Sequence, residues 1–175
     1  MKLDTRFLVI TGLILLAVLT RLLPHPFNFT AMSAVALFGA ANYNKKILAF
    51  LVPITALLIS DSIIGFYQGI EWVYGTFVLI IICGFYLRTK VTIPRVIALS
   101  VISSLLVFVI TDFGVWLGGN LYPHTVAGFT ACYVAAMPFL RNELLGDLFY
   151  SGLLFGAFYI AQLRFPKLLK ERVKK

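Results

Sequence analysis

A chain of 175 residues that is 61% hydrophobic and 13% charged, with a mean hydropathy of +0.96, carries more apolar surface than a soluble domain of its size can bury. Its net charge of +8 is no nucleic-acid signal, because the basic residues fall in short loops and a tail between apolar runs. A single membrane domain uses the whole chain, and Cys83 and Cys132 lie too far apart in apolar context to suggest a disulfide framework.

The first predicted span covers 7–23. Its apolar run is long, ends in Arg21 and offers no small-x-small cleavage site, which separates it from a secretory leader. PHPFNF follows as a proline turn, each proline biasing its predecessor toward extended backbone. Asn28 or Thr30 then caps a second helix, rich in Ala and Gly, over 29–43. After the basic turn Asn44-Lys45-Lys46, a third helix covers 47–66. Its small residues Ala49, Pro53, Ala56 and Ser60 fall on one stripe, a pattern of close helix packing, and Asp61 stands at its far end.

The turn YQGIEW leads to a fourth helix over 72–87. The basic loop RTKVTIPR precedes a fifth over 96–117, with Ser100, Ser104 and Thr111 near one face. Beyond GGNLYPHT, residues 126–140 predict a short outer helical segment that need not span, and a sixth helix covers 142–162. Within the sixth, Gly152-x3-Gly156 is a small-x3-small pair whose expected use is close packing inside the bundle. The basic tail that follows is an anchor for anionic lipid of the inner leaflet.

In this six-span layout 13 of the 15 Lys and Arg fall on one side, leaving Arg21 and Arg141 on the other. The positive-inside rule then makes both termini cytoplasmic. The acids divide the opposite way, with Asp61, Glu71, Asp112, Glu143 and Asp147 at or near the outer ends and Asp4 and Glu171 inside. The functional groups are therefore expected at the outer face.

Residues 111–150 concentrate them: Asp112, His124, Arg141, Asn142, Glu143 and Asp147 in an otherwise apolar chain. Charge at membrane depth is costly and by default marks a site. Glu143, Asp147 and Tyr150, spaced i, i+4, i+7, share one helix face, which must look into the bundle or a wet cavity. The plainer reading is an internal ion pair, Arg141 with Asp61 or Asp112. Both readings can hold together, since a polar ligand can break such a pair. Most outer aromatics form the interfacial belt, but Tyr74 and Trp116, close to acids, are candidates to line a pocket.

His25 and His124 each stand beside a proline in an outer loop, where a turn or surface role is the plainer reading. With Cys132 they lack compact ligand spacing, so no metal centre is expected. There is no Gly-x-Ser-x-Gly, His-Glu-x-x-His or phosphate-binding glycine loop. Neither an enzyme, nor a cofactor, nor an ATP site of its own is expected.

The layout of RLLPHPFNFTAMSAVALFGA, LLISDSIIGFYQGIEWVYGTF and AAMPFLRNELLGDLFYSGLLFG resembles a bacterial membrane family grouped as transport proteins without assigned function. More distantly it resembles the substrate-binding S components of energy-coupling-factor (ECF) vitamin transporters and, among these, the stand-alone cobalamin transporters of the BtuM type. The resemblance spans nearly the whole chain. It implies an all-α integral membrane protein, an S-component-like bundle of six transmembrane helices with cytoplasmic termini and an outer pocket closed by loops. It carries polar pocket positions onto His25, Asp61 and Arg141. The position of that family's cobalt-ligating cysteine falls on Tyr74, with Cys83 more than two turns further on, so thiolate ligation of a corrinoid is not implied.

The resemblance also implies an ECF energising module as a partner. The Ala-x3-Ala docking motif is missing from the first helix, which has only Ala17, and Ala36-x3-Ala40 on the second is a poor substitute. A solitary protein or an unusual partner is favoured. The expected function is uptake of a vitamin-sized solute, a corrinoid among the candidates, through an outward-facing pocket of the bacterial cytoplasmic membrane. Its candidate binding residues are His25, Asp61, Tyr74, Asp112, Trp116, His124, Arg141, Glu143 and Asp147, with PHPFNF and GGNLYPHT as lids. The alternatives are a structural or assembly protein with an internal ion-pair network, and an intramembrane enzyme using Glu143, Asp147 and His124 as acid and base.

Overall fold

The computed structural model describes residues 4–169. Within them the fold consists of six α-helices: α1 (Thr5–Leu19), α2 (Met32–Asn42), α3 (Lys46–Ile64), α4 (Ile70–Gly84), α5 (Ile93–Gly118) and α6 (Val126–Arg164). Short 3₁₀ turns extend α1 over Thr20–Leu22 and α4 over Phe85–Arg88, and another, Pro166–Leu168, follows α6. Among the described residues there is no strand. α1 and α4 with their extensions, α3, α5 and α6 are long and apolar enough to cross a membrane, which makes the chain a multi-pass membrane protein by length and composition.

α2 departs from the expected span over 29–43. At 11 residues it is about 16 Å long, roughly half the thickness of the hydrocarbon core. The prolines of PHPFNF and a left-handed Asn28 (φ 60°) keep the preceding residues out of the helix, so it begins at Met32 rather than 29. All 11 residues are buried, and the other five helices pack around it. A helix apolar on every side belongs in the interior. Its small residues and those of its neighbours set the approach: a Cβ on Gly84 would stand 2.7 Å from Ala40 Cβ and 3.3 Å from Leu37 Cα, and one on Gly39 would stand 3.0 Å from Pro53 Cγ.

α6 is the second departure. The short outer segment 126–140 and the helix 142–162 are one continuous helix of 39 residues, about 58 Å long. Thr125 caps it, its Oγ1 accepting from the Gly128 N–H at 3.2 Å. Arg141, Asn142 and Glu143 carry helical backbone through the expected break, and Pro138 lies inside the helix.

α5 and α6 form a long antiparallel pair, joined by Ser100 Oγ donating to Ser151 Oγ (2.8 Å) and by Ser104 Oγ donating to Asp147 Oδ2 (2.7 Å). Nearer the α5–α6 loop, Tyr133 OH donates to the Val109 carbonyl (2.7 Å). The expected close packing of Gly152 and Gly156 is not found. A Cβ on either would meet nothing within 4 Å, because both line an open cleft between the two helices.

Apart from Arg21 and Arg141, described basic residues gather at one end. Arg6 bonds the carbonyls of Asn42 and Leu168, Arg88 those of Tyr43 and Asn44, and Arg95 bonds Thr89. Lys46 stands over the Phe85 ring. The tail residues 170–175 lie outside the described residues.

Two glycines test this packing. Gly84→Ala should destabilise the protein by about 1–3 kcal/mol through overpacking against α2. Gly152→Ala should stabilise it by about 0.5–1 kcal/mol, because helix propensity improves and nothing opposes the methyl. Thermal unfolding in one detergent reads both signs.

Candidate functional site

The candidate residues separate into three groups, with Arg141 outside them. The first is built where α1, α3 and α4 meet, at the end opposite the cluster of Arg6, Arg88 and Arg95. Arg21, on the 3₁₀ turn after α1, sends Nη1 to Asp61 Oδ1 at 2.5 Å and to Ser60 Oγ at 2.6 Å. Tyr74 OH donates to Asp61 Oδ2 at 2.9 Å, so both oxygens of this carboxylate are engaged. The Asp61 side chain is fully occluded and that of Arg21 is 13% exposed.

Arg21–Asp61 is the one ion pair among the described residues. It takes the place of the expected Arg141–Asp61 or Arg141–Asp112 pair. Arg141 is exposed on the helix that replaces the expected break. Tyr67, in the loop between α3 and α4, has its phenol pushed up by burial and by the Asp61 charge, with Arg21 opposing. His25 stays exposed and braces the loop: Nδ1 lies 2.9 Å from the Pro26 carbonyl oxygen and Nε2 lies 3.2 Å from that of Arg21.

The second group lies along the α5–α6 seam. Asp147 is 2% exposed and takes the Ser104 hydroxyl, while Ser33, in the first turn of α2, stands close on its other side. Ser104 is 11 residues along α5 from Ile93, about 16 Å, which puts Asp147 near mid-depth of a hydrocarbon core about 30 Å thick. Ala31 at the N-cap of α2 supplies no side-chain cap, so the positive end of the α2 dipole is left for the Asp147 carboxylate. Glu143 is one helical turn further out, within electrostatic reach of Asp147 and Asp112. Among the described residues none of these three carboxylates has a cation in salt-bridge contact.

The third group is aromatic and caps the loop between α5 and α6. Trp116 stacks edge to face on His124 (5.5 Å) and Phe129 (5.4 Å), and Phe113 links it to Trp72 at 5.7 Å on each side. Trp116 Nε1 also donates to the Pro123 carbonyl at 3.1 Å, which ties GGNLYPHT down onto α5. Among the described residues no cluster of three or more His, Cys, Asp or Glu could hold a metal ion.

Sequence reasoning missed Arg21 as the partner of Asp61, and Ser104 and Ser33 as neighbours of Asp147. Arg21 had a signal: it is itself a charge at the end of an apolar run. The serines had none, since Ser on a helix face reads as packing.

Fold and buried charges together define a multi-pass α-helical membrane protein with an ionisable interior. The chain belongs to the family of unknown function DUF6580, whose model matches residues 1–168. No curated protein and no solved structure matches it.

Asp61→Ala should cost about 3–5 kcal/mol, because it leaves the Arg21 guanidinium buried without its carboxylate. Arg21→Met combined with Asp61→Leu should recover most of that loss. Arg141→Ala should stay within about 0.5 kcal/mol of the parent. Denaturation of the four proteins in one detergent measures the differences.

Proposed function

We propose that this protein binds a vitamin-sized solute at its outer end and carries it across the bacterial cytoplasmic membrane. The basic end faces the cytoplasm by the positive-inside rule. The observation that supports this reading best is a run of carboxylates with no cation in salt-bridge contact among the described residues: half-buried Asp112 and Glu143 and buried Asp147 lie along the α5–α6 seam, while Arg21 is spent on Asp61. Carboxylates are not retained at such depth for packing alone without cost.

The solute suited to that lining has a polar face rich in hydrogen-bond donors or positive charge. Amide-bearing corrinoids meet the first description. In this reading Arg21, Asp61 and Tyr74 form a lock between α1, α3 and α4, and the Trp116–His124 loop is the lid. Ala36 and Ala40 are fully buried in α2, so they offer no surface to an energising module. That favours a solitary transporter. Transport is preferred to catalysis because Glu143 and Asp147 belong to the seam, whereas His124 packs on the outer loop.

The test is thermal unfolding of the detergent-solubilised protein against a panel of vitamins, cobinamide and cobalamin included, repeated with Glu143→Gln. A true ligand at 100 times its Kd should add about 2.7 kcal/mol to a reversible equilibrium. Glu143→Gln should remain folded and bind at least tenfold more weakly. If no compound shifts unfolding, the transport reading falls and a purely structural role for the charges replaces it.

A further inference from the structure

At the basic end, opposite the candidate solute site, two cavities join. The larger, about 720 Å³, is a cleft between the inner halves of α5 and α6, walled by residues such as Val96, Ile97, Leu148 and Phe155 and floored by Gly152 and Gly156. It is open at its side, where Ile93 is 77% exposed. Its two deepest hydroxyls, Ser100 and Ser151, are bonded to each other. The cleft asks for an apolar occupant, and at this depth the surrounding medium is acyl chain.

The smaller cavity, about 290 Å³, shares Val91, Phe155 and Tyr159 with the cleft and has a different chemistry. Arg6, Arg88 and Lys90 line it, with Asn42, Thr89 and Gln162. Arg6 is only 4% exposed, and the Nε atoms of Arg6 and Arg88 are both buried without a hydrogen-bond partner. Their Nη atoms bond backbone carbonyls: Asn42 and Leu168 for Arg6, Tyr43 and Asn44 for Arg88. The nearby acid is Asp4, whose Oδ1 accepts the backbone N–H of Arg6. Neither guanidinium has a salt-bridge partner among the described residues.

The C-terminal carbonyls of α2 offer about half an elementary negative charge. Two guanidiniums and an ammonium exceed that several-fold. The buried Arg6 and half-buried Arg88, with exposed Lys90 at the rim, call for an anion, and planar guanidinium donors suit phosphate.

We propose that the basic end holds one anionic phospholipid, its phosphate in the cavity of Arg6, Arg88 and Lys90 and an acyl chain in the α5–α6 cleft. The two halves of the space match the two halves of that molecule, and anionic lipid is concentrated in the leaflet that basic segments face. A transmembrane helix docked on Gly152 and Gly156 would fill the cleft and leave the guanidinium cavity unanswered. A free phosphate would do the reverse.

The experiment uses the full chain, delipidated in detergent. Phosphatidylglycerol, phosphatidylcholine with the same chains, and inorganic phosphate are compared by thermal unfolding, and native mass spectrometry counts retained lipid. Phosphatidylglycerol should raise Tm by several degrees with one lipid retained, and the other two should leave it unchanged. Gly156→Leu and Gly152→Leu, whose side chains grow into open space, should fold normally and lose the shift. Lys90→Gln should fold normally and bind about tenfold more weakly.

An equal shift with phosphatidylcholine would remove anion recognition from the proposal. An equal shift with inorganic phosphate would replace the lipid by a free anion. Retention of the phosphatidylglycerol shift in both leucine variants would overturn the placement of the chain in the cleft.

Discussion

Much of this fold answers to one constraint: a helix too short to cross the membrane is enclosed at its centre. Backbone groups left unpaired in hydrocarbon cost several kcal/mol each, and Ala31 at the start of α2 and Asn42 and Tyr43 at its end are buried. The surrounding helices meet this with charge of the appropriate sign. Asp147 of α6 stands beside the first turn of α2, at the positive end of its dipole. Arg6 of α1 and Arg88 beyond α4 bond the carbonyls of Asn42, Tyr43 and Asn44 at the negative end. The small residues of α2 and its neighbours then let five helices close around it, with Gly84 and Pro53 at the tightest approaches.

This arrangement explains why so many ionisable groups survive in so apolar a chain. Some of them are accounted for by α2 alone. Asp112 and Glu143 are not, and neither is the lock of Arg21, Asp61 and Tyr74, which holds the outer ends of α1, α3 and α4 together rather than an end of α2.

Much of the architecture was legible in the sequence, because membrane spans are written in length and hydropathy. Five of the six expected spans exist, and the described residues Arg6, Lys46, Arg88 and Arg95, predicted to be basic-side, gather at one end. Three features were not legible, each for a tertiary reason. The expected helix over 29–43 loses its first three residues, because the proline turn and left-handed Asn28 keep the chain out of helix until Met32. Arg141, Asn142 and Glu143 look like a helix boundary, yet charged residues continue a helix readily where the flanking turns are helical on both sides. Gly152 and Gly156 have the spacing of a packing motif, and only the positions of the neighbouring helices reveal that nothing packs on them. Among the candidate site residues, the proximity of Tyr74 to Asp61 and of Glu143 to Asp147 follows the sequence reading, whereas the partner of Asp61 lies 40 residues away on another helix.

α6 is nearly twice as long as a hydrocarbon core is thick. A rod of that length works as a lever. A tilt of a few degrees that hardly disturbs the Ser100–Ser151 contact becomes a displacement of several ångströms at Val126, where the aromatic cap meets the aqueous phase. Events at the exposed tip and events at mid-depth are therefore mechanically joined through a single unbroken element.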